Sequence, residues 1–176
     1  MDEDRSDWPS RLVEQHARMV FATAYRILGR ADEAEDVLQD VFLKVLRSQN
    51  GRARDAIRDW GAYLRTTASR TAIDRLRQRQ KRNRETTASR ADPVVESEDP
   101  MRLAGQERQA ILLEQAIGEL PGRDAEVFSL RYIEDFSYEQ IAAQMNLSVN
   151  QVGVILHRAR ERLREILERM GIRQGE

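Results

Sequence analysis

A group of polar and small residues near the carboxyl end has the types and spacing needed to read the edges of DNA bases. These residues are Ser148, Asn150, Gln151, Gly153, Val154, His157 and Arg158. At about 100° per residue, Asn150, Val154 and His157 lie on the side of a helix that points away from its apolar stripe. A recognition helix contacts bases in the major groove with its N-terminal outer face. Three flanking arginines, Arg160, Arg162 and Arg164, suit contacts with phosphates.

Two helices and one tight turn must position this face. Ser137 with Gln140, and Ser148 with Gln151, form two capping-box patterns that bracket one short helix. Asn146 tolerates the left-handed conformation that a sharp turn requires. The apolar residues that follow recur mostly at steps of three and four, at Val152, Leu156, Ala159, Leu163, Ile166, Leu167 and Met170. The stretch predicts a helix-turn-helix, and the alternative is a helical hairpin with a solvated Arg/Glu face.

A second basic region lies in the middle of the chain. Between Arg65 and Arg84, eight basic residues accompany one acidic residue, which gives a local charge of +7. Trp60 and Tyr63 stand just before this region, and aromatic residues beside arginines are expected where bases stack while phosphates are neutralised. An exposed arginine-rich helix end that complements the helix dipole explains the pattern equally well.

Composition predicts an all-α protein and excludes several classes of function. The chain has 176 residues, 40% of them hydrophobic, and no stretch alternates convincingly as a strand. It contains no cysteine, so disulfides, thiolate metal sites and cysteine nucleophiles are excluded. His16 and His157 are its two histidines, and no glycine-rich phosphate loop or metal-ligand spacing accompanies them. We therefore expect no catalytic site, metal, cofactor or small-molecule substrate, and a cytoplasmic protein without a secretory signal or membrane span.

The order of segments predicts two small helical domains joined by a flexible linker. Apolar spacing predicts helices over 10–28 and 31–48, a loop over 49–59 and a helix from Trp60. Residues 85–105 contain two prolines and no periodicity, as an interdomain linker would. A helix then resumes with Ala110, Leu113 and Ile117 on one side, and Pro121 opens the next. We assign the domains to residues 8–84 and 106–172.

Four segments together resemble the extracytoplasmic-function group of bacterial sigma factors, within the sigma-70 family. They are AEDVLQDVFLKV at 34–45, AIDRLR at 72–77, LPGRDAEVFSLRYIEDFSYEQIA at 120–142 and LHRARERLR at 156–164. The family's small members keep two domains, region 2 and region 4, and residues 8–84 and 106–172 correspond to them. The resemblance covers nearly the whole chain.

The resemblance implies a transcription initiation factor with two macromolecular partners. Its polymerase-binding surface, for the clamp helices of the largest subunit of core RNA polymerase, would include Asp36, Gln39, Asp40 and Leu43. The minus-ten element of promoter DNA would be held by Trp60, Tyr63, Arg65, Arg70, Arg75, Arg77 and Arg79. The minus-thirty-five element would be read by Ser148, Asn150, Gln151, Gly153, Val154, His157, Arg158 and Arg160. An anti-sigma factor is a further partner that the resemblance suggests.

The sequence departs from the family's usual pattern at one residue and at one three-residue segment. Arg70 stands where many relatives have asparagine, and Gly153-Val154-Ile155 replaces a basic-small-basic triplet. Two cationic contacts are therefore missing, although Val154 can touch a thymine methyl group. We expect minus-thirty-five affinity to depend on Arg158, Arg160 and helix-end amides.

Other classes of function fit the sequence less well. An autonomous helix-turn-helix regulator explains the C-terminal motif but has no need of segment 34–45 or of the basic helix after Trp60. A structural helical adaptor requires that DNA binding be absent altogether. An enzyme lacks a plausible cluster of reactive side chains.

Overall fold

Seven α-helices make up the part of the chain that the computed structural model describes, residues 8–47, 57–89 and 105–171. In chain order they are α1 (Trp8–Leu28), α2 (Ala31–Arg47), α3 (Trp60–Ser89), α4 (Gly105–Glu119), α5 (Gly122–Tyr132), α6 (Tyr138–Met145) and α7 (Val149–Arg169). These ranges contain no strand. The all-α prediction is confirmed, with α1–α3 forming the N-terminal half and α4–α7 the C-terminal half.

Local sequence signals set several helix ends. Gly29 has a φ of 66° and ends α1, because a left-handed residue stops the helical hydrogen-bond pattern. Asn146 has a φ of 51° and turns the chain between α6 and α7 as expected. Asp59 caps α3, since its carboxylate accepts a hydrogen bond of 2.9 Å from the Ala62 amide. Pro121 is the residue immediately before α5 rather than part of its first turn.

One helix end and one apolar side differ from those that the sequence predicts. Helix α3 continues to Ser89, five residues into the expected linker. The rest of that linker, 90–104, and most of the expected loop, 49–56, lie outside the described residues. On α4, Ile117 of the predicted apolar side is buried, whereas Ala110 and Leu113 are exposed. From residue 109 to the end of α4, burial is confined to residues 116–118.

Helix α3 is the central element of the fold. It contacts α1 and α2 in the N-terminal half and α4, α5 and α6 in the C-terminal half. The sequence places apolar residues around more than one side of α3, and this arrangement explains why: Leu64, Ala68, Ala72, Ile73 and Leu76 are all buried. A helix with partners on two sides cannot have a single apolar stripe.

One hydrophobic core joins the two halves. It contains residues of α1, α2 and α3 together with Ala116 and Ile117 of α4, Ala125 and Phe128 of α5, and Leu163 of α7. A second, smaller core lies inside the helix-turn-helix and includes Val127, Leu130, Ile141, Val152 and Leu156. The halves therefore pack against each other through α3, while the helix-turn-helix keeps a core of its own.

A buried carboxylate, Glu134, also connects the halves. It lies between α5 and α6, and its side chain is only 1% exposed. Thr23 Oγ1 donates a hydrogen bond of 2.9 Å to it, and the Arg26 guanidinium donates another of 2.8 Å. Burial raises the pKa of the Glu134 carboxyl above its ordinary value of 4.5, and the hydrogen bond from Thr23 and the charges of Arg26 and Arg65 offset this only in part.

Replacing Glu134 with glutamine is expected to change how stability depends on pH. Because its pKa is raised in the folded chain, wild-type Glu134 contributes stability that is complete below pH 4.5 and is lost as pH rises through the folded pKa. Glu134→Gln has no such proton, so its stability relative to wild type should increase with pH across that window. Urea unfolding of both proteins between pH 4 and 8 measures this difference in stability, which should have the pH dependence of a single titrating group. Parallel stability curves would contradict it.

Candidate nucleic-acid interface

The outer face of α7 is exposed as the sequence predicts. Ser148 begins the helix with a complete capping box, in which its Oγ accepts from the Gln151 amide at 3.2 Å and Gln151 Oε1 accepts from the Ser148 amide at 2.8 Å. Asn150, Val154 and His157 are exposed along one stripe at one-turn spacing, and Gly153 beside them is half-buried. The predicted exposure of these three residues is confirmed, and their role in reading DNA stays a prediction.

The opposite side of α7 holds the helix-turn-helix together. Val152 and Leu156 are fully buried, and Ile155 is 7% exposed in the same core. Ile155 therefore cannot contact DNA, although it occupies one position of the family's basic triplet. Tyr138 of α6 lies against α7 near Gly153, where an added Cβ would be 3.7 Å from the ring, an ordinary contact.

Arg158 has an intramolecular partner that sequence reasoning missed. Asp124, whose side chain is 1% exposed on α5, accepts hydrogen bonds from Arg158 Nε at 3.0 Å and Nη2 at 2.5 Å. It also accepts one from Arg162 Nη1 at 2.8 Å. The hydrogen bond and charge of Asp124 raise the pKa of Arg158. Arg158 thus fastens α7 to α5 with one edge of its guanidinium, whereas Arg160 is exposed and bears no such role.

Several arginines of α3 are paired with acidic groups rather than simply solvated. Arg75 bridges Asp36 at 2.7 Å and Asp40 at 2.6 Å, so it ties α3 to the exposed face of α2. Desolvation opposes the charged form of Arg75, but the two carboxylates outweigh it and raise its pKa. Arg79 binds Glu33 of α2 at 2.8 Å and also contacts Glu114 of α4.

Further α3 arginines reach the C-terminal half. Arg70 donates two hydrogen bonds to Glu126 of α5, at 3.0 and 2.9 Å, and this bidentate pair raises the pKa of Arg70. Arg77 donates to the Leu120 carbonyl oxygen between α4 and α5. Arg65 contacts Met19 Sδ at 3.1 Å and lies 3.9 Å from Glu134. All five arginines expected at the minus-ten element therefore have partners within the chain.

The two aromatic residues expected at the same site pack at the start of α3. The Trp60 ring lies 6.1 Å from that of Trp8 and 5.8 Å from that of Tyr63, centroid to centroid. Both Trp60 and Tyr63 are half-buried against the main core. They form an aromatic cluster beside the arginines, at the end of α3 opposite the predicted linker.

Helix α2 presents the surface expected to bind a protein partner. Asp36, Gln39, Asp40 and Leu43 are all exposed on it, and Leu43 is 45% exposed. An apolar side chain among acidic ones suits a partner that combines basic and apolar groups. Because Asp36 and Asp40 bind Arg75, this surface and α3 are directly connected.

Sequence reasoning did not find five acidic partners of the arginines, Glu33, Glu114, Asp124, Glu126 and Glu134. Each lies far in sequence from an arginine that it binds, so the local sequence gives no signal of the pairing. Among the residues that the structure describes, no group of three or more His, Asp or Glu side chains could hold a metal ion. None of the described helices is long and apolar enough to cross a membrane.

Comparison with known proteins places both halves in one family. Residues 12–82 match the family profile for Sigma-70 region 2, and residues 110–163 match that for Sigma-70 region 4. CarQ of Myxococcus xanthus, an RNA polymerase sigma factor, is 32% identical over 89% of this chain and 87% of its own length. The chain belongs to the sigma-70 family. Within it, the chain is an RNA polymerase sigma factor of the extracytoplasmic-function group, and so a transcription initiation factor.

Other relatives of this sigma factor support the group assignment. SigE of Mycolicibacterium smegmatis, named an extracytoplasmic-function sigma factor, is 30% identical over 93% of this chain, which spans 64% of SigE. SigW of Bacillus subtilis is 26% identical over 89% of this chain and 87% of its own length. The solved structure of RpoE in complex with the anti-sigma factor NepR from Bartonella quintana has the same fold, with a TM-score of 0.52 and 20% identity over 96% of this chain and 98% of RpoE.

Alanine at Arg158 should destabilise the sigma factor, whereas alanine at Arg160 should not. Arg158→Ala leaves the buried Asp124 with one guanidinium instead of two, which we expect to cost about 1–2 kcal/mol because Arg158 itself is half exposed. Arg160 is exposed, so Arg160→Ala should change stability by less than about 0.5 kcal/mol. Urea unfolding of both variants measures the difference. Equal stabilities would show that the Asp124 contact contributes nothing.

Proposed function

We propose that this sigma factor binds core RNA polymerase through α2, holds the melted minus-ten element with α3 and reads the minus-thirty-five element with α7. The observation that carries the proposal is the exposed reading face of α7, held by two capping boxes, in a chain whose other half contains the arginine-rich α3. The acidic and apolar surface at Asp36, Gln39, Asp40 and Leu43 is the proposed site for the clamp helices of the largest subunit. It would act in the cytoplasm, where polymerase and promoters are.

Positioning and strand stabilisation are the whole of the proposed mechanism. Two DNA contacts of modest strength, joined in one holoenzyme, act together when promoter spacing lets both engage, because the second contact forms at high effective concentration. Bond formation belongs to the polymerase. Arginines on α3 would neutralise phosphates of the separated strand, while Trp60 and Tyr63 offer rings on which bases can stack.

Binding of the minus-ten strand requires the α3 arginines to exchange partners. In the structure, Glu126 binds Arg70 and Glu114 binds Arg79. These carboxylates would therefore compete with DNA phosphates for the same guanidinium groups. The Arg70 side chain is 48% exposed, and exposed ion pairs contribute little net stability, so exchanging Glu126 for a phosphate there costs little. Arg79 and Glu114 are each 18% exposed, so their pair must first be uncovered. The buried hydroxyls of Ser69 on α3 and Ser129 on α5 have no hydrogen-bond partner in the described part of the chain. If the two halves separate, water can hydrogen-bond to whichever of these hydroxyls becomes exposed, which offsets part of the cost of separation.

Run-off transcription with core polymerase on a promoter library tests the proposed function directly. We expect promoter-specific products with the wild-type chain. Leu43→Asp adds a charge to an exposed apolar position of α2 and should lower core-polymerase affinity at least about tenfold. Val13→Asp makes the same change at another exposed apolar position, on α1, and should leave affinity unchanged. A library that gives no specific product would exclude the function, and equal effects of the two variants would exclude the α2 surface.

Removing the competing carboxylates should strengthen binding of single-stranded minus-ten DNA by the full chain. Glu114→Gln with Glu126→Gln releases Arg70 and leaves Arg79 paired with Glu33 alone, and we expect affinity to increase roughly three- to tenfold at low salt. Glu165→Gln with Glu168→Gln changes the net charge equally at exposed positions of α7 and serves as the matched control. Fluorescence anisotropy with a labelled oligonucleotide measures both. Equal affinities of the two double variants would show that the carboxylates do not compete with DNA.

A further inference from the structure

Val154 is an apolar side chain displayed where a recognition helix would read bases. Its exposure of 65% is the highest among the exposed large hydrophobic residues of the described chain. It has no packing role that explains an apolar residue, because the buried side of α7 is formed by Val152, Ile155 and Leu156. An isolated exposed valine is ordinary, but this one lies on the N-terminal part of the second helix of a capped helix-turn-helix.

The neighbours of Val154 restrict what this face can recognise. Asn150 and His157 flank it at one-turn spacing, both exposed, and neither makes a side-chain hydrogen bond within the described residues. The nearest arginine, Arg158, has its Nε and Nη2 committed to Asp124. Gln151 uses its amide oxygen in the capping box. The central reading stripe therefore has one amide, one imidazole and one apolar side chain, and lacks the arginine or lysine that reads guanine.

An apolar side chain has a single matching group in the major groove. The 5-methyl group of thymine is the only apolar group that a base pair presents there, and apolar contacts to it distinguish thymine from the other bases. Asparagine one turn away can hydrogen-bond an adenine edge. A half-buried Gly153 next to Val154 places no side chain between the helix and the groove.

We propose that Val154 is a specificity-determining residue that reads the 5-methyl group of a thymine in the upstream promoter element. The inference rests on the proposed function, since it requires α7 to lie in the major groove. It predicts a minus-thirty-five element in which one position prefers thymine through its methyl group and not through its Watson–Crick partner.

Replacing thymine by deoxyuridine tests the proposal, because the two bases differ by that methyl group alone. Holoenzyme made from core polymerase and the full chain is first shown to transcribe a promoter from the library. Each thymine of its upstream element is then replaced singly by deoxyuridine, and holoenzyme occupancy is measured at fixed salt. We expect occupancy of the wild-type holoenzyme to fall roughly fourfold at one position, the effect of one buried methyl group.

Three variants separate the methyl contact from other effects. Val154→Ala should bind the thymine and deoxyuridine promoters equally at the sensitive position, and Val154→Thr, which keeps a methyl group, should preserve most of the difference. Val149→Ala removes the other exposed valine of α7 and should keep the full wild-type difference. Both positions are solvent-facing, and unchanged urea-unfolding midpoints confirm that the three variants fold.

Two results would overturn the inference while leaving the proposed function intact. One is a wild-type holoenzyme that is insensitive to deoxyuridine at every position of a promoter that it transcribes. The other is a sensitivity that persists in Val154→Ala or disappears in Val149→Ala. If no library promoter is transcribed at all, the proposed function fails, and the inference fails with it.

Discussion

The charge of α3 is the constraint on which the rest of the structure depends. A helix with this many arginines cannot lie at the centre of a fold unless acidic groups surround it, because desolvated charges without partners are costly. Glu33, Asp36 and Asp40 provide that compensation from α2, and Glu114 and Glu126 provide it from the C-terminal half. The same pairing that permits the halves to pack also occupies the guanidinium groups that we propose for phosphate binding. In that proposal, folding and DNA binding use the same guanidinium groups.

Sequence reasoning predicts the local features of this protein well because they depend on short-range chemistry. The two capping boxes and the left-handed Asn146 are confirmed, since each needs only residues within four positions of one another. The exposure of Asn150, Val154 and His157 follows equally from helical periodicity. The end of α3 was harder to predict, because residues 85–89 have the polar composition of a linker and still continue the helix.

The sequence does not predict which side chains pair when they lie far apart along the chain. Arg158 has the spacing of a DNA contact, yet its guanidinium binds Asp124, which is 34 residues earlier in the chain. Nothing in the local pattern around Asp124 distinguishes it from a solvated first-turn acid, which helix starts commonly carry. On α4, Ile117 is buried as its spacing predicts, but Ala110 and Leu113 are exposed, because contacts with α3 and α7 decide which residues are covered. Such choices depend on which elements meet in three dimensions.

Helix α7 separates the residues that stabilise the fold from the exposed residues of its outer face. Stability of the helix-turn-helix resides in the buried side of α7, in its capping box and in the Asp124 contacts, while the side chains of Asn150, Val154 and His157 make no hydrogen bond or ion pair with the described residues. Substitutions at those three positions should therefore change stability little, and selection for stability constrains them weakly. With α7 reading promoter DNA as we propose, two copies that arise by gene duplication can acquire different promoter preferences in a few steps without passing through a misfolded intermediate.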